Sequence, residues 1–241
     1  MNGKHGMDKI APKTYDAYIK ALSDISRAIA SDLFIEDILK LIVLVTARVT
    51  GVDICSLWLV DEGKDPKIRL AATQAFDPAY VKDRTLTLRE GVVGHVVSSK
   101  ELLIVKDVLK EPRFKEKEMA RKLSLVSMLG VPLRYKENEV IGVLNCFTCA
   151  PHEFTQTEIN LITGVANQAS VAIENARLMV RAHVIEQELE TRKKIERAKE
   201  ILMAKKDMPA EKAFRWIQKK SMDTRKSMRE ISEALILSED L

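Results

Sequence analysis

Apolar residues near the start of the chain recur at helical spacing and predict two helices within residues 14–50. The first set is spaced three and four apart over residues 21–29, and a second runs from Ile38 to Val45. Gly51 is placed to end the second helix, because glycine readily adopts the left-handed conformation found after a helix. Residues 1–13 are expected to be disordered.

Beyond Gly51 the apolar period shortens to two, which is typical of β-strands. The segments with this pattern are residues 53–62, 67–76, 86–108 and 127–150. The first two predict a hairpin, and the third predicts a strand, a short helix opened by Gly91, and another strand. The fourth predicts two strands, with Pro132 at an edge or a strand start. Helices flanking one mixed, largely antiparallel sheet give the α+β class.

A helix of about fifty residues is predicted from Thr155 to Lys206, a stretch that contains no proline and one glycine. Its first part carries apolar residues spaced alternately four and three apart, at Ile162, Ala166, Ala169, Ile173, Ala176 and Val180. This spacing is typical of a coiled-coil seam and favours pairing with a second copy as a homodimer. The alternative is two shorter helices that pack back on one subunit.

Two short helices are predicted at the C-terminus. Pro209 suits the first turn of one, and the pair Ser227 and Glu230 forms a capping box at the start of the other. With the end of the long helix they form a three-helix unit. Its predicted core is Ile195, Ala198, Leu202, Phe214, Ile217, Met228, Ile231 and Leu235. Met203 and Met222 are interpreted as residues that fill gaps.

Positive charge is concentrated in this C-terminal region. Residues 192–229 contain fourteen Lys and Arg against five acidic residues, a net charge of +9, whereas the whole chain carries +4. A mildly acidic body with a basic segment favours a polyanion as partner. No apolar run is long enough to cross a bilayer and no signal core is present, which predicts a cytoplasmic protein without a membrane partner.

The sequence contains no arrangement of residues that predicts catalysis. Its three cysteines, Cys55, Cys146 and Cys149, form at most a lone CxxC, and its four histidines show no metal-ligand spacing. We interpret the cysteines as small buried residues on a strand, and we expect neither an enzyme nor a metal site.

Residues 51–178 resemble a GAF domain, through GVVGHVVSSKELLIVKDVLKEPRF, GVPLRYKENEVIGVLNCF and FTQTEINLITGVANQASVAIENARL. This resemblance implies a sensor module with a ligand pocket on one face of its sheet, and therefore a small-molecule effector of unknown identity. The family's cyclic-nucleotide pattern is matched in part by Asn145, Phe154 and Glu158. A haem ligand at His95, a bilin at Cys55 and a sulfoxide reductase built on the cysteines are weaker alternatives.

The stretches KKIERAKEILMAKKDMPAEKAFRWIQKKSM and RKSMREISEAL resemble an ANTAR domain. The resemblance implies binding to paired hairpins in nascent mRNA leaders and antitermination of transcription. Two positions depart from the pattern: Glu200 stands where glycine is common, and Gln218 replaces a usual arginine, which removes one positive charge.

The residues predicted to bind RNA are basic, because aromatic residues are few and Trp216 is expected to pack against the core. They are Arg197, Lys199, Arg215, Lys219, Arg225 and Lys226. The predicted domains are a disordered segment 1–13, a GAF domain with its N-terminal helices at 14–178, a coiled-coil linker helix at 179–194 and an ANTAR domain at 195–241. One alternative is a regulator that binds DNA or protein, although the predicted turn of about seven residues at 220–226 is long for a DNA-binding helix-turn-helix. The other alternative is a cysteine reductase.

Overall fold

The computed structural model describes residues 35–75, 84–136 and 139–238, with the single positions 20 and 23. The expected disorder of residues 1–13 therefore lies outside the described residues, and so does the helix predicted over 21–29 apart from position 23. The described helices and strands are α1 (Ile35–Thr50), β1 (Ile54–Val60), β2 (Lys67–Thr73), β3 (Thr85–Thr87), α2 (Gly91–Ser99), β4 (Leu103–Val105), α3 (Lys117–Lys122), β5 (Ser127–Tyr135), β6 (Glu139–Thr148), α4 (Gln156–Lys206), α5 (Ala210–Thr224) and α6 (Met228–Leu237). The chain divides into two compact units, the first ending at Ala176 and the second beginning at Arg177.

The first unit is built on a six-stranded sheet in the order β3-β2-β1-β6-β5-β4. All five neighbouring pairs run antiparallel, so the expectation of a mixed sheet is wrong, and the α+β class is confirmed. Pro132 lies in β5, an inner strand, but beyond the residues of β5 that pair with β4. A proline is accommodated there because one side of the strand has no paired neighbour.

One face of the sheet is covered by α1 and the first part of α4. Side chains such as Ile42 of α1, Leu57 and Leu144 of the sheet and Ile173 of α4 are buried there in one apolar cluster. The start of the predicted coiled-coil seam, from Ile162 to Ile173, therefore belongs to the core of the first unit and is not an interface with a second chain. Spacing alone cannot distinguish the two, because both require an apolar stripe along a helix.

The other face of the sheet packs against α2, α3 and the segments around them. Trp58 and Val143 of the sheet cluster with Val93 and Val96 of α2, and a further cluster joins Phe114 to the remaining side chains of this face. Successive side chains of each strand point alternately to the two faces of the sheet, as predicted from the apolar period of two. Neighbouring residues of one strand therefore belong to different layers of the unit.

The second unit is a three-helix arrangement of the later part of α4 with α5 and α6. The long helix is continuous over 51 residues, as predicted. The core of the unit is small, with Ala198, Leu202, Ala213, Ile217 and Ile231 buried and Ile195, Met208, Trp216, Met228 and Leu235 partly buried around them. The capping box at the start of α6 is confirmed, because Ser227 and Glu230 each bond to the other's backbone N–H.

Candidate functional site

The six basic residues expected to contact RNA lie on three parts of the second unit. Arg197 and Lys199 are on α4, two positions apart, so they project from opposite sides of that helix. The side chain of Lys199 is only 18 % exposed, and its Nζ lies 2.8 Å from Glu196. Arg197 is more exposed and pairs with Glu200. Lys199 is therefore the least accessible of the candidates.

Arg215 and Lys219 are one helical turn apart on α5 and lie on the same exposed side of it. Arg215 donates a hydrogen bond to Glu211 at 2.6 Å, which partly neutralises its charge. Within the described part of the chain, Lys219 makes no ion pair. Exposed cations spaced by one turn on a helix present charge to a partner without loss of packing, since the buried residues occupy the other side.

Arg225 and Lys226 occupy the turn between α5 and α6, which comprises residues 225–227. Arg225 adopts the left-handed conformation after α5 with φ 54°, and Ser221 donates a side-chain hydrogen bond to the carbonyl oxygen of Lys226. The seven-residue turn expected at 220–226 is wrong, because α5 continues to Thr224. A three-residue turn between two helices is typical of helix-turn-helix proteins, so turn length does not argue against DNA binding.

The aromatic residues of this unit are placed differently from the prediction. Phe214, expected in the core, is 40 % exposed, and the core position is filled by Ala213. Trp216 packs against the core, as expected, and the Nζ atom of Lys206 lies 4.8 Å from the centre of its ring. Met203 and Met222, interpreted as gap fillers, are exposed. Phe214 follows Ala213 directly and is therefore about 100° further around the helix, at the edge of the stripe formed by Ala213 and Ile217. Helical spacing alone does not determine whether a residue at that edge is buried.

A cavity in the first unit lies between the sheet and the layer of α2 and α3. It encloses about 30 Å³, and its apolar lining includes Trp58, Phe114, Met119 and Phe147. Asn145 also lines the cavity, and its Oδ1 atom is the one buried side-chain oxygen or nitrogen without a hydrogen-bond partner among the described residues. An unpaired buried amide group costs about 1–3 kcal/mol, so this atom is suited to accept a hydrogen bond from a bound molecule.

The space around Asn145 depends on a glycine of the adjacent strand. Gly130 is paired with Asn145 across β5 and β6, and a Cβ atom at position 130 would lie 3.1 Å from Oδ1 of Asn145. That distance is tighter than ordinary van der Waals contact. The glycine therefore leaves room for the amide side chain on the cavity side of the sheet.

The other residues weighed for a cyclic-nucleotide pattern do not join Asn145. Phe154 is buried in the cluster on the opposite face of the sheet. Glu158 caps the start of α4, where its carboxylate accepts hydrogen bonds from Thr155, and it also contacts His152 at 3.0 Å. The three residues therefore do not form one site. Sequence order could not reveal this, because the face on which each residue lies depends on the strand register.

The cysteines and His95 lie outside the cavity lining. Cys55 and Cys146 are buried in the cluster on the helix-covered face, as expected. Cys149 is exposed and follows the last residue of β6, so the expectation of a buried residue on a strand is wrong for this cysteine. His95 is half-buried on α2. In the described ranges, no three His, Cys, Asp or Glu side chains come together in an arrangement that could hold a metal ion. None of the described helices combines the length and the apolar character needed to span a bilayer.

Family models match both parts of the chain. The GAF domain model matches residues 35–173, and the ANTAR domain model matches residues 184–236. The transcriptional regulatory protein PdtaR of Mycobacterium tuberculosis is 42 % identical over 52 residues, which are 22 % of this chain and 25 % of that protein. The chain thus spans about a quarter of the length of this curated relative.

Solved structures are similar to most of the chain. The GAF domain of an Acinetobacter phosphoenolpyruvate-protein phosphotransferase is 26 % identical with a TM-score of 0.59, covering 70 % of this chain and 97 % of that one. Its counterpart from Coxiella burnetii is 24 % identical with a TM-score of 0.61, covering 69 % and 98 %. The free methionine-R-sulfoxide reductase of Neisseria meningitidis, at 21 % identity and a TM-score of 0.56, covers 74 % and 99 % and shares the fold.

Proposed function

We propose, from the premise that this chain belongs to the GAF family and carries an ANTAR domain, that it regulates transcription by binding nascent RNA. Its second unit binds paired hairpins in mRNA leaders and thereby prevents formation of the terminator. The observation that carries this proposal is the net charge of +9 over residues 192–229, within the region matched by the ANTAR model. Exposed cations on a compact unit release counterions from phosphates, which gives a salt-dependent affinity.

The basic surface proposed to contact phosphates comprises Arg215 and Lys219 of α5 with Arg225 and Lys226 of the following turn. All four are exposed, and three of them make no ion pair among the described residues. Arg197 is a supporting contact from α4. Lys199 is the weakest candidate, since a cation held by Glu196 and mostly covered by protein must break that pair before it can reach a phosphate.

A small effector in the first unit is the second part of the proposal. The cavity lining is largely apolar and aromatic, with Lys115 and Glu116 also contributing to it, and one buried amide oxygen, that of Asn145, lacks a donor. The enclosed space of about 30 Å³ is smaller than the roughly 150 Å³ of a cavity that binds benzene. The site therefore takes a small, largely apolar molecule with a single hydrogen-bond donor only when its lining side chains move apart. The effector acts only if it binds two states of the protein with different affinity, so its role is a shift of populations and not catalysis.

We further propose that the protein acts as a homodimer through the middle of α4. Leu178, Ala182, Ile185 and Leu189 are exposed and follow the alternating spacing of four and three that coiled coils require. A dimer carries two RNA-binding units, so binding of one hairpin raises the effective concentration of the second unit at the other hairpin. This accounts for recognition of hairpins in pairs.

Duplex DNA is the second candidate target, because the three-residue turn between α5 and α6 is compatible with a helix-turn-helix. The discriminating experiment measures binding of the full chain to a labelled two-hairpin leader RNA and to duplex DNA of equal charge, over a range of salt. The proposal expects tighter binding to RNA at every salt concentration. Equal, weak binding to both would show that the charge is not selective, and tighter binding to DNA would favour the second candidate.

Matched variants connect that binding to the basic surface. Arg215→Ala/Lys219→Ala removes two exposed cations of the second unit, and Lys106→Ala/Lys110→Ala removes two exposed, ion-paired cations of the first. The first variant is expected to weaken binding and to lower the magnitude of the salt slope by about 0.7–0.9 per lost phosphate contact. The second is expected to bind as the unmodified protein does. An equal loss in both variants would contradict the assignment of the surface.

A further inference from the structure

A groove in the second unit lies between α4 and the two short helices that follow it. Its lining includes Val184, Arg192 and Ile195 of α4, Phe214 of α5 and Arg229 of α6, and its volume is about 500 Å³. Cavities that hold small molecules in proteins have volumes of about 300–1,000 Å³. The groove is therefore large enough to take a planar ring system of the size of a nucleobase.

Phe214 supplies an accessible aromatic ring at this groove. It is 40 % exposed, whereas Ala213 and Ile217 on the buried side of the same helix are fully covered. Trp216, the other aromatic residue after position 176, is partly buried, and the cation of Lys206 lies near its ring. Of the two aromatic rings in this unit, Phe214 is therefore the one placed to stack with a partner from solution.

Arg229 is held in position at the same groove. Its Nε atom donates a hydrogen bond of 3.0 Å to Glu233, and this carboxylate also accepts a hydrogen bond from Lys194. The guanidinium group is thus oriented by a carboxylate that a second cation also holds, and its side chain remains 41 % exposed. Unstacked RNA bases stack on aromatic rings or on guanidinium planes, and this groove is lined by one of each, from Phe214 and Arg229.

We propose that this groove binds one unstacked base of an RNA hairpin loop, with the base stacked on the ring of Phe214. Arg192 and Arg229 provide hydrogen bonds and positive charge beside it. The inference rests on the proposed function, because it names how the second unit recognises a loop in addition to the phosphates. It separates recognition into a stacking contact at the groove and a charge contact on the basic surface of α5.

The charges around the groove favour a base as its occupant. Its lining also contains Glu188 and Glu196, whose carboxylates repel a phosphate but accept hydrogen bonds from the amino groups of bases. Gln187 and Thr191 add polar groups that can meet a base edge. An apolar helix of a second protein would leave these polar groups without partners, at a cost in free energy.

The test begins with selection of RNA hairpins with randomised loops on the full chain, followed by affinity measurements on an enriched hairpin. Phe214→Ala is expected to weaken binding roughly tenfold to a hundredfold, the range found when a stacking aromatic residue is removed. The salt slope is expected to stay unchanged, because stacking neutralises no phosphate. Phe214→Tyr is expected to retain binding, and Met222→Ala, which removes an exposed apolar side chain of the same helix outside the groove lining, is the matched control.

An abasic scan of the loop identifies the stacked base. Removal of that base is expected to weaken binding to the unmodified protein and to have no further effect in Phe214→Ala, since both changes delete one contact. If Phe214→Ala loses its helical circular dichroism signal, Phe214→Leu replaces it in these measurements, because leucine keeps the apolar bulk but has no aromatic ring.

The outcomes separate this inference from the proposed function. Failure to enrich any hairpin would overturn both. If Phe214→Ala binds the enriched hairpin as tightly as the unmodified protein does, the proposed base-binding groove is wrong and the proposed function stands. The same conclusion follows if Phe214→Ala binds RNA normally but no longer self-associates, because the groove would then be a contact with a second copy of the chain. A loss of affinity accompanied by a smaller salt slope would place Phe214 among the positions that support phosphate contacts.

Discussion

Cys55 and Cys146 lie directly opposite each other on β1 and β6, and their Sγ atoms are 3.6 Å apart. Both side chains are fully buried on the face of the sheet that α1 and α4 cover. The cavity that Asn145 lines is on the other face. A reductase would need a thiol within reach of its substrate, and these two sulfur atoms have the sheet between them and the cavity.

This placement predicts the reactivity of the thiols. Burial raises the pKa of Cys55 well above its usual value, and the neighbouring Cys146 raises it further, so this group stays protonated and unreactive near neutral pH. A thiol-specific reagent is expected to modify only Cys149 in the native protein and all three cysteines after denaturation. Three rapidly reacting thiols in the native state would contradict the burial described for this pair.

The cysteine reductase alternative is tested separately. A variant with Cys55, Cys146 and Cys149 all changed to Ala is expected to bind leader RNA as the unmodified protein does. Turnover of free methionine sulfoxide by the unmodified protein, lost in the triple variant, would revive the enzyme alternative. The same preparation serves both measurements, so a folding defect would be recognised by the loss of RNA binding.

The capping box of α6 predicts a pH dependence of the second unit. The hydrogen bond from the Ser227 side chain, followed by that from its backbone N–H, lowers the pKa of Glu230 below its ordinary value of 4.5. Because the folded-state pKa is depressed, this stabilisation is fully present above pH 4.5 and is lost as the pH falls through the folded value. Thermal unfolding followed by circular dichroism at pH 7 and pH 3 measures it.

Glu230→Gln is the matched variant, because glutamine retains the geometry of the capping box but does not titrate. The variant is expected to lose less stability between pH 7 and pH 3 than the unmodified protein. Equal losses in both proteins would assign the pH dependence to other carboxylates, of which Glu233 is the nearest candidate, since Lys194 and Arg229 lower its pKa.

The small core of the second unit makes it sensitive to single truncations. Ile217 is completely buried among Ala198, Leu202 and Ile231. Ile217→Ala is expected to reduce the free energy of unfolding by about 2–5 kcal/mol, which a core of this size cannot absorb without partial unfolding. Denaturant titration measures the change. Met222→Ala, at an exposed position of the same helix, is expected to change stability by less than about 0.5 kcal/mol.

The sequence predicted the elements of the sheet well because their signals are local. The alternation of apolar residues in 53–62 and 67–76 and the glycine that ends α1 each depend on a few neighbouring positions, and both agree with the structure. The capping box at Ser227 is equally local. These features follow from backbone geometry, which the residue types determine almost directly.

The prediction failed where burial depends on partners distant in sequence. The stripe from Ile162 to Ile173 has coiled-coil spacing, but the sheet of its own unit covers it. Phe214 has the spacing of a core residue, but Ala213 occupies the interior and Phe214 remains exposed. Asn145 was singled out only as part of a cyclic-nucleotide pattern that the structure does not assemble. Its unpaired oxygen gave no signal in the sequence, because it is defined by the strand register and by Gly130 opposite. Periodicity identifies a stripe without identifying what covers it.

The unpaired oxygen of Asn145 predicts an unusual effect of its removal. Asn145→Leu replaces the amide group by an apolar side chain of similar shape, so the free energy of unfolding is expected to be unchanged or increased. Response to any effector that donates a hydrogen bond to this atom is expected to be lost. Chemical denaturation measures the first effect, and the shift of melting temperature on addition of small aromatic N–H donors, such as indole, measures the second.

A decrease of more than about 1 kcal/mol in Asn145→Leu would contradict the expectation that the unpaired oxygen destabilises the folded protein. Benzene is the matched control ligand for indole, because it fills apolar space but donates no hydrogen bond. If the two ligands stabilise the unmodified protein and Asn145→Leu equally, the amide oxygen does not select the ligand.

The exposed stripe of α4 predicts the state of association. Leu178, Ile185 and Leu189 are about half or more exposed, and no segment of the described chain covers them. A dimer would bury all three, so Ile185→Glu is expected to shift the protein to monomer by placing a charge in each copy of the seam. Val180, the last residue of the seam expected from the sequence, is exposed to a similar degree but lies on the opposite side of the helix from this stripe. Val180→Glu is therefore the matched control, and it also tests the expected seam against the proposed one. Analytical ultracentrifugation measures the mass of each variant. A monomeric unmodified protein, or a dimer retained in Ile185→Glu, would contradict the proposed seam.

Because the seam joins two RNA-binding units, the monomeric variant is expected to keep its affinity for a single hairpin and to lose the gain in affinity obtained with two hairpins.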